Sequence, residues 1–137
     1  MADIRESVVE ALVMTGKFDA EHARLAERAR YCCEYCDREM LKSVEDYKLW
    51  QKDHIVPICA GGTEDFDNLA IACRHCNWDF KRDWDPRKAE GLPAVPRRDD
   101  LIKAAQGYIK RKKAEALLDL ERVREIVGYP FSGKAHA

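Results

Sequence analysis

Two C-x-x-C pairs, Cys33-Glu34-Tyr35-Cys36 and Cys73-Arg74-His75-Cys76, stand 36 residues apart in this 137-residue chain. They restrict the fold more than any other feature. Each pair presents two thiolates from one tight turn, and together they make the four-sulfur, tetrahedral donor set of a structural zinc site. Disulfides would need an oxidising compartment, and a lone redox-active C-x-x-C would need a βαβ context and would leave the second pair without a role. The start, Met1-Ala2-Asp3-Ile4-Arg5-Glu6, has mixed charge and lacks the basic opening and apolar run of a secretory signal. The chain therefore reads as intracellular and cytoplasmic. Only four cysteines carry metal-ligand spacing, against the eight ligands of a two-zinc, RING-like adaptor. Cys32 and Cys59 have no such partner and read as small buried hydrophobes.

The rest of the chain divides around these pairs. Ile4, Val8, Val9, Leu12 and Val13 recur at helical spacing and Asp3 with Glu6 suits a capping arrangement, which predicts a helix over 4–14 ended by Thr15-Gly16. Asp19 is placed to cap a second helix through Ala29, with His22 as a surface or half-buried side chain. Residues 48–56 alternate and end at Pro57, predicting a strand that finishes near His54. Ala60-Gly61-Gly62-Thr63 turns the chain, and Leu69 to Ala72 form the returning strand. A brief helix is expected over 77–83, ended by Asp85-Pro86. Pro86, Gly91, Pro93 and Pro96 mark 86–98 as a connection leading away from the metal domain. Asp99 or Asp100 then caps a long helix with an apolar stripe through Leu101, Ala105, Ile109, Ala116, Leu120, Val123 and Val127, and Gly107 is its weak point. That stripe is expected to dock on the domain or to hold a second copy or a partner protein, and Phe131 to Ala137 to fray. Segments follow: a helical 1–30, a metal domain 31–85, a linker 86–98, and a helix with tail 99–137.

Apolar content of 46% fits one small globular domain, and no apolar run approaches the roughly 18 residues that span a bilayer. The net charge of −1 hides an uneven distribution. Residues 1–73 carry 9 basic and 15 acidic side chains, whereas 74–113 carry 12 and 6. The middle of the chain thus has the charge that a phosphate backbone seeks.

Between the cysteine pairs lie Asp53-His54-Ile55-Val56-Pro57, then Gly61-Gly62, then Asn68-Leu69; Asn77 follows the last cysteine, with Lys81 four residues on. This order resembles the zinc-knuckle branch of the HNH endonuclease family, whose pattern runs C-x-x-C, D-H-I-x-P, G-G, N-L, C-x-x-C-N and a nearby lysine. The resemblance covers about residues 33–81, with Asn77 where the family's name has a histidine. It implies an α+β fold: a small, treble-clef-like ββα-metal domain closed by structural zinc and flanked by helices. It also implies a metal-dependent enzyme that cuts or nicks DNA to leave 5′-phosphate and 3′-hydroxyl ends. Asp53 and Asn77 then bind a divalent ion, and Asn68 braces the loop that aims His54. The alternative is an inactive, zinc-stabilised binding module.

The residues support the same chemistry on their own. Phosphodiester hydrolysis needs a deprotonated water, a cation against the growing charge, and stabilisation of the leaving oxygen. His54 can be neutral at cellular pH and serve as general base. Carboxylate, amide and phosphate oxygens suit Mg²⁺ or Mn²⁺ better than zinc. Strand alternation puts Asp53 and His54 on opposite faces, so the backbone is expected to bend between them. Lys81, Arg74 and Arg82 are near enough in sequence to reach phosphates, the partner being DNA, double-stranded. His75 reads as a side chain on the knuckle surface, and Trp78 and Trp84 as core aromatics rather than base-stacking ones.

Overall fold

The periodic segments near the N-terminus form α1 (Glu6–Met14) and α2 (Ala20–Arg28) in the computed structural model, which describes residues 3–133. Asp19 caps α2 as its position suggests, accepting the His22 N–H at 2.7 Å. No Asp3–Glu6 cap forms. The N-cap of α1 is Arg5, with no side-chain cap, and its N–H is satisfied from outside the helix, by Glu27 Oε1 of α2 at 3.0 Å. The Arg5 guanidinium grips the same carboxylate through Nε at 2.9 Å and Nη2 at 2.8 Å, and the Tyr31 hydroxyl also donates to it. Glu27 is thereby buried without an unpaired charge.

The alternating segment becomes β1 (Trp50–His54), antiparallel to β2 (Leu69–Cys73), with Trp50 opposite Cys73 and His54 opposite Leu69. Every residue of β2 is buried, because Leu25 of α2 and Ile71 of the strand share one core with residues of the C-terminal helix. The first cysteine turn closes the second edge of β2. The Glu34 N–H donates to the Ile71 carbonyl at 2.9 Å, and the Glu34 carboxylate accepts the Ile71 N–H at 2.8 Å. One sequence-silent element, α3 (Val44–Tyr47), is a single turn capped by Ser43, which accepts the Asp46 N–H at 3.0 Å.

Past the second cysteine pair the expected short helix starts earlier and is wider than expected: His75–Lys81 is a π-helix, and the Arg82 N–H reaches back to the Asn77 carbonyl at 2.8 Å. The 86–98 connection does not lead away from the domain. A 3₁₀ turn at Pro86–Lys88, with Asp85 accepting the Arg87 N–H at 2.9 Å, folds it back so that α4 (Arg98–Val127) packs on the core through Ile102, Ala105 and Ile109. Trp84 stacks on Tyr108 with ring centroids 4.2 Å apart, and Arg98 pairs with Glu34 at 2.7 Å. The helix is capped two residues before Asp99, the earlier of its two expected caps. Arg97 is the N-cap, and Asp100 accepts its N–H at 2.9 Å.

α4 runs unbroken through Gly107. Beyond Lys113 its stripe meets nothing among the described residues, and Leu117, Leu120, Val123 and Val127 stay exposed. Residues 134–137 of the tail expected to fray lie outside the described residues. Two cysteine expectations fail. Cys59 is exposed on the 3₁₀ turn Ile58–Ala60, and Cys32 is only half-buried, in an isolated bridge to Glu39. No helix among the described residues is long and apolar enough to cross a membrane.

Hydrogen bonds from Arg5 hold the Glu27 carboxyl down at about 2, below its ordinary 4.5, against the opposing effect of burial. A depressed carboxyl stabilises the folded state above its unfolded pKa. The protein is therefore expected to lose that stability as pH falls from about 4.5 towards 2. In thermal melts Glu27→Gln should be less stable than the parent at pH 7, and the two should converge at the acid end.

Candidate functional site

The four Sγ atoms of Cys33, Cys36, Cys73 and Cys76 lie within 4.8 Å of one another, and no other such group occurs among the described residues. A tetrahedron with Zn–S bonds of about 2.3 Å has edges of about 3.8 Å, and the Cys36–Cys73 separation is 3.8 Å. The donor set fits a structural zinc ion. Backbone geometry prepares it: the Asp37 N–H bonds the Cys33 carbonyl at 2.9 Å with Asp37 itself in the left-handed region. The Tyr35 and Cys76 N–H groups each point at a cysteine sulfur at 3.4 Å. Side-chain hydrogen bonds with Cys33, Cys36 and Cys76 draw the Cys73 thiol down, while hydrogen bonds within the same cluster push Cys33 and Cys76 up.

Beside the sulfur cluster, β1 lies next to the π-helix, and a cleft of about 240 Å³ opens between them, lined by Asp53, His54, Asn77, Trp78 and Arg82 among others. A larger groove of about 1040 Å³ lies between residues 84–93 and α4, but none of the proposed catalytic groups is there. The expected bend between Asp53 and His54 is absent. The ladder stays regular through His54, and the chain turns only at Ile55 and Val56. Alternation therefore holds. Gln51 and Asp53 face the π-helix, and His54 emerges on the other side of the strand, yet both Asp53 and His54 reach the cleft at the end of the sheet.

Asp53 is 6% exposed. Its Oδ2 accepts the Tyr35 hydroxyl at 2.6 Å and pairs with Lys81 Nζ at 3.0 Å. Its Oδ1 takes no hydrogen bond among the described residues. Burial raises the Asp53 carboxyl, and the Lys81 ammonium and the Tyr35 hydroxyl oppose that rise; the Tyr35 phenol is raised by burial and by the Asp53 charge. Lys81, expected at a phosphate, is instead buried at 1% exposure. It binds Asp53 and also donates to the His54 carbonyl at 3.1 Å, so it cannot reach a surface phosphate from this position. The Asn77 amide nitrogen donates to Gln51 Oε1 at 2.8 Å, leaving its carbonyl oxygen free of that bond.

His54 is half-buried, with Nε2 2.6 Å from Glu64 Oε1. Asn68 spans the loop behind it. Its Oδ1 accepts the Val56 N–H at 2.9 Å, and its Nδ2 donates to the Val56 and Thr63 carbonyls at 3.0 and 2.8 Å. Gly62 allows that loop to close, because a Cβ there would sit 1.8 Å from the Val56 carbonyl oxygen. Arg74, Arg82 and His75 are exposed, His75 against Asp79 at 2.9 Å. The two tryptophans divide: Trp84 packs under α4, whereas Trp78, expected in the core, is 55% exposed at the cleft. Sequence reasoning missed Tyr35, Gln51 and Glu64. Tyr35 sits between the two cysteines of the first knuckle and Gln51 two residues before Asp53, positions that fix their direction once the zinc and the strand are drawn. Glu64 gives no such signal.

Residues 33–79 match the family model of the HNH endonuclease, and the four-cysteine cluster within that segment fits the zinc-knuckle branch of the family. No curated protein and no solved structure gave a significant match. An HNH domain implies nucleic-acid binding and a nuclease type of function.

Two substitutions separate scaffold from cleft. Cys73→Ser removes one zinc thiolate, and because structural zinc supplies folding free energy, the variant should lose zinc and unfold, as metal analysis with circular dichroism would reveal. Lys81→Met strands a buried carboxylate and should cost about 3–5 kcal/mol in denaturant titration. Adding Asp53→Asn should recover most of that loss.

Proposed function

We propose that this protein is a metal-dependent endonuclease that hydrolyses phosphodiester bonds of double-stranded DNA, with His54 as general base. The observation that carries the reading is the convergence of a histidine, a carboxylate with one oxygen unbonded, and an amide oxygen on a single cleft of an HNH domain. With Nε2–H donating to Glu64, His54 has Nδ1 left to take a proton from water. Asn68 fixes the loop after His54 through Val56 and Thr63 and so limits where the imidazole can point.

Asp53 Oδ1 and the Asn77 carbonyl oxygen are the donors that would hold a divalent ion, and hard oxygen donors with room for water and phosphate suit Mg²⁺ or Mn²⁺. Such an ion supplies neutralising charge at the phosphate. Lys81 acts on Asp53 rather than on the substrate: its charge opposes the rise that burial imposes on the carboxyl and, through the His54 carbonyl, it ties the two neighbouring site residues to the π-helix. Arg74 and Arg82 remain on the surface to meet backbone phosphates. The exposed outer half of α4 is the surface on which a second copy or a partner protein would dock.

Supercoiled plasmid with Mg²⁺ or Mn²⁺ tests the assignment. His54→Ala should keep one zinc per chain and its DNA affinity while cleavage falls about a hundredfold or more. Asn77→Ala should stay folded but need more divalent ion for its residual cleavage. Parent-level cutting by His54→Ala would remove His54 from the reaction.

A further inference from the structure

Arg82 occupies a backbone position that its side chain disfavours. Its φ of 49° and ψ of −127° are those of the first central residue of a type II′ turn. The turn is closed: the Trp84 N–H donates to the Lys81 carbonyl at 3.0 Å. Glycine dominates that position because a Cβ there is strained. An arginine at such a position breaks the local rule, and a broken local rule beside a cleft points to function.

What the strain achieves is visible in the geometry. The guanidinium carbon of Arg82 lies 4.9 Å from the centre of the Trp78 ring. Trp78 belongs to the π-helix, a helix type that recurs at functional sites, and it stays 55% exposed. Its indole is therefore not needed to fill the core. Both residues line the cleft that holds Asp53 and His54, with Lys52 on the same rim.

We propose that Trp78 and Arg82 form a stacking platform for an unpaired nucleobase beside the scissile phosphate. The favoured substrate is then duplex DNA with a local bulge or mismatch rather than a fully paired duplex; this rests on the nuclease reading above. Indole accepts any base because every base has a π-face, and arginine adds a planar cation that stacks and pairs with the neighbouring phosphate. A fully paired duplex keeps its bases stacked on one another and gives the indole no free face. An extruded base lowers the cost of engagement because its unpairing has already occurred.

The zinc-loaded full chain is titrated, without Mg²⁺ or Mn²⁺, into a duplex carrying one bulged 2-aminopurine and into its fully paired counterpart. The parent should quench the bulged 2-aminopurine and bind that duplex about 5- to 150-fold more tightly than the paired one, the range expected from stacking one base. Trp78→Leu should lose both the quenching and the preference while keeping its zinc and melting temperature, and Trp78→Phe should restore part of each. Arg82→Gly should melt at or above the parent, because the strain is relieved, yet bind both duplexes more weakly. Equal binding of the two duplexes by the parent, or parent-like quenching by Trp78→Leu, overturns the platform. Cleavage is scored separately in Mg²⁺: quenching without cutting sinks the nuclease reading alone, and cutting with no effect of Trp78→Leu sinks the platform alone.

Discussion

Four sulfur atoms gathered within 4.8 Å are the constraint on which the remaining structure depends. The domain between the cysteine pairs has only two five-residue strands, and a two-stranded sheet is marginal by itself in water. Metal closure changes that balance by bringing the two ends of the segment together at a cost met in binding free energy. Once the ends meet, Glu34 of the first knuckle lies against β2, takes the Ile71 amide and receives Arg98 from α4. One cysteine turn therefore supplies a strand edge, a half-buried acceptor and a docking point for the C-terminal helix.

The same turn also reaches the cleft. Tyr35, between the two ligands of the first knuckle, donates its hydroxyl to Asp53, while Lys81, at the end of the helix that starts in the second knuckle, pairs with the same oxygen. Each knuckle thus contributes one side chain to orient one carboxylate. A buried acid held from both sides keeps a single rotamer, and its second oxygen keeps a single direction. Scaffold and chemistry are mechanically continuous here, so damage to the sulfur cluster is felt at Asp53 even where the strands survive.

Much of this architecture was legible because its signals are local or strictly spaced. Cysteine pairs announce their common ion, Asp19 announces a helix start, and alternation announces β1. Alternation also placed Asp53 and His54 on opposite faces, and that is where they are; the bend postulated between them was unnecessary because the cleft lies at the end of the sheet, within reach of both faces. Lys81 was misjudged because a lone lysine in sequence carries no sign of burial, and only the carboxylate waiting at 3.0 Å makes its burial tolerable. Trp78 was misjudged for the converse reason. Size and apolarity argue for the core, but a π-helix rotates successive side chains by a different step from an α-helix. Pro and Gly in the 86–98 connection mark irregularity without giving its direction, so its return onto the core through Pro86–Lys88 has no local signal.

The 30 residues of α4 divide into a rooted half and a free half. The Lys113 ammonium lies 5.8 Å from the Phe80 ring centre, and from Ala114 to Val127, where every residue is exposed, the helix rises about 20 Å at 1.5 Å per residue. A rigid rod of that length works as a spacer. Whatever engages its tip is held at a set offset from His54, in an orientation fixed by the Trp84–Tyr108 stack at the root, and shortening the rod by two residues would both draw that object inward and turn it through more than half a revolution about the helix axis.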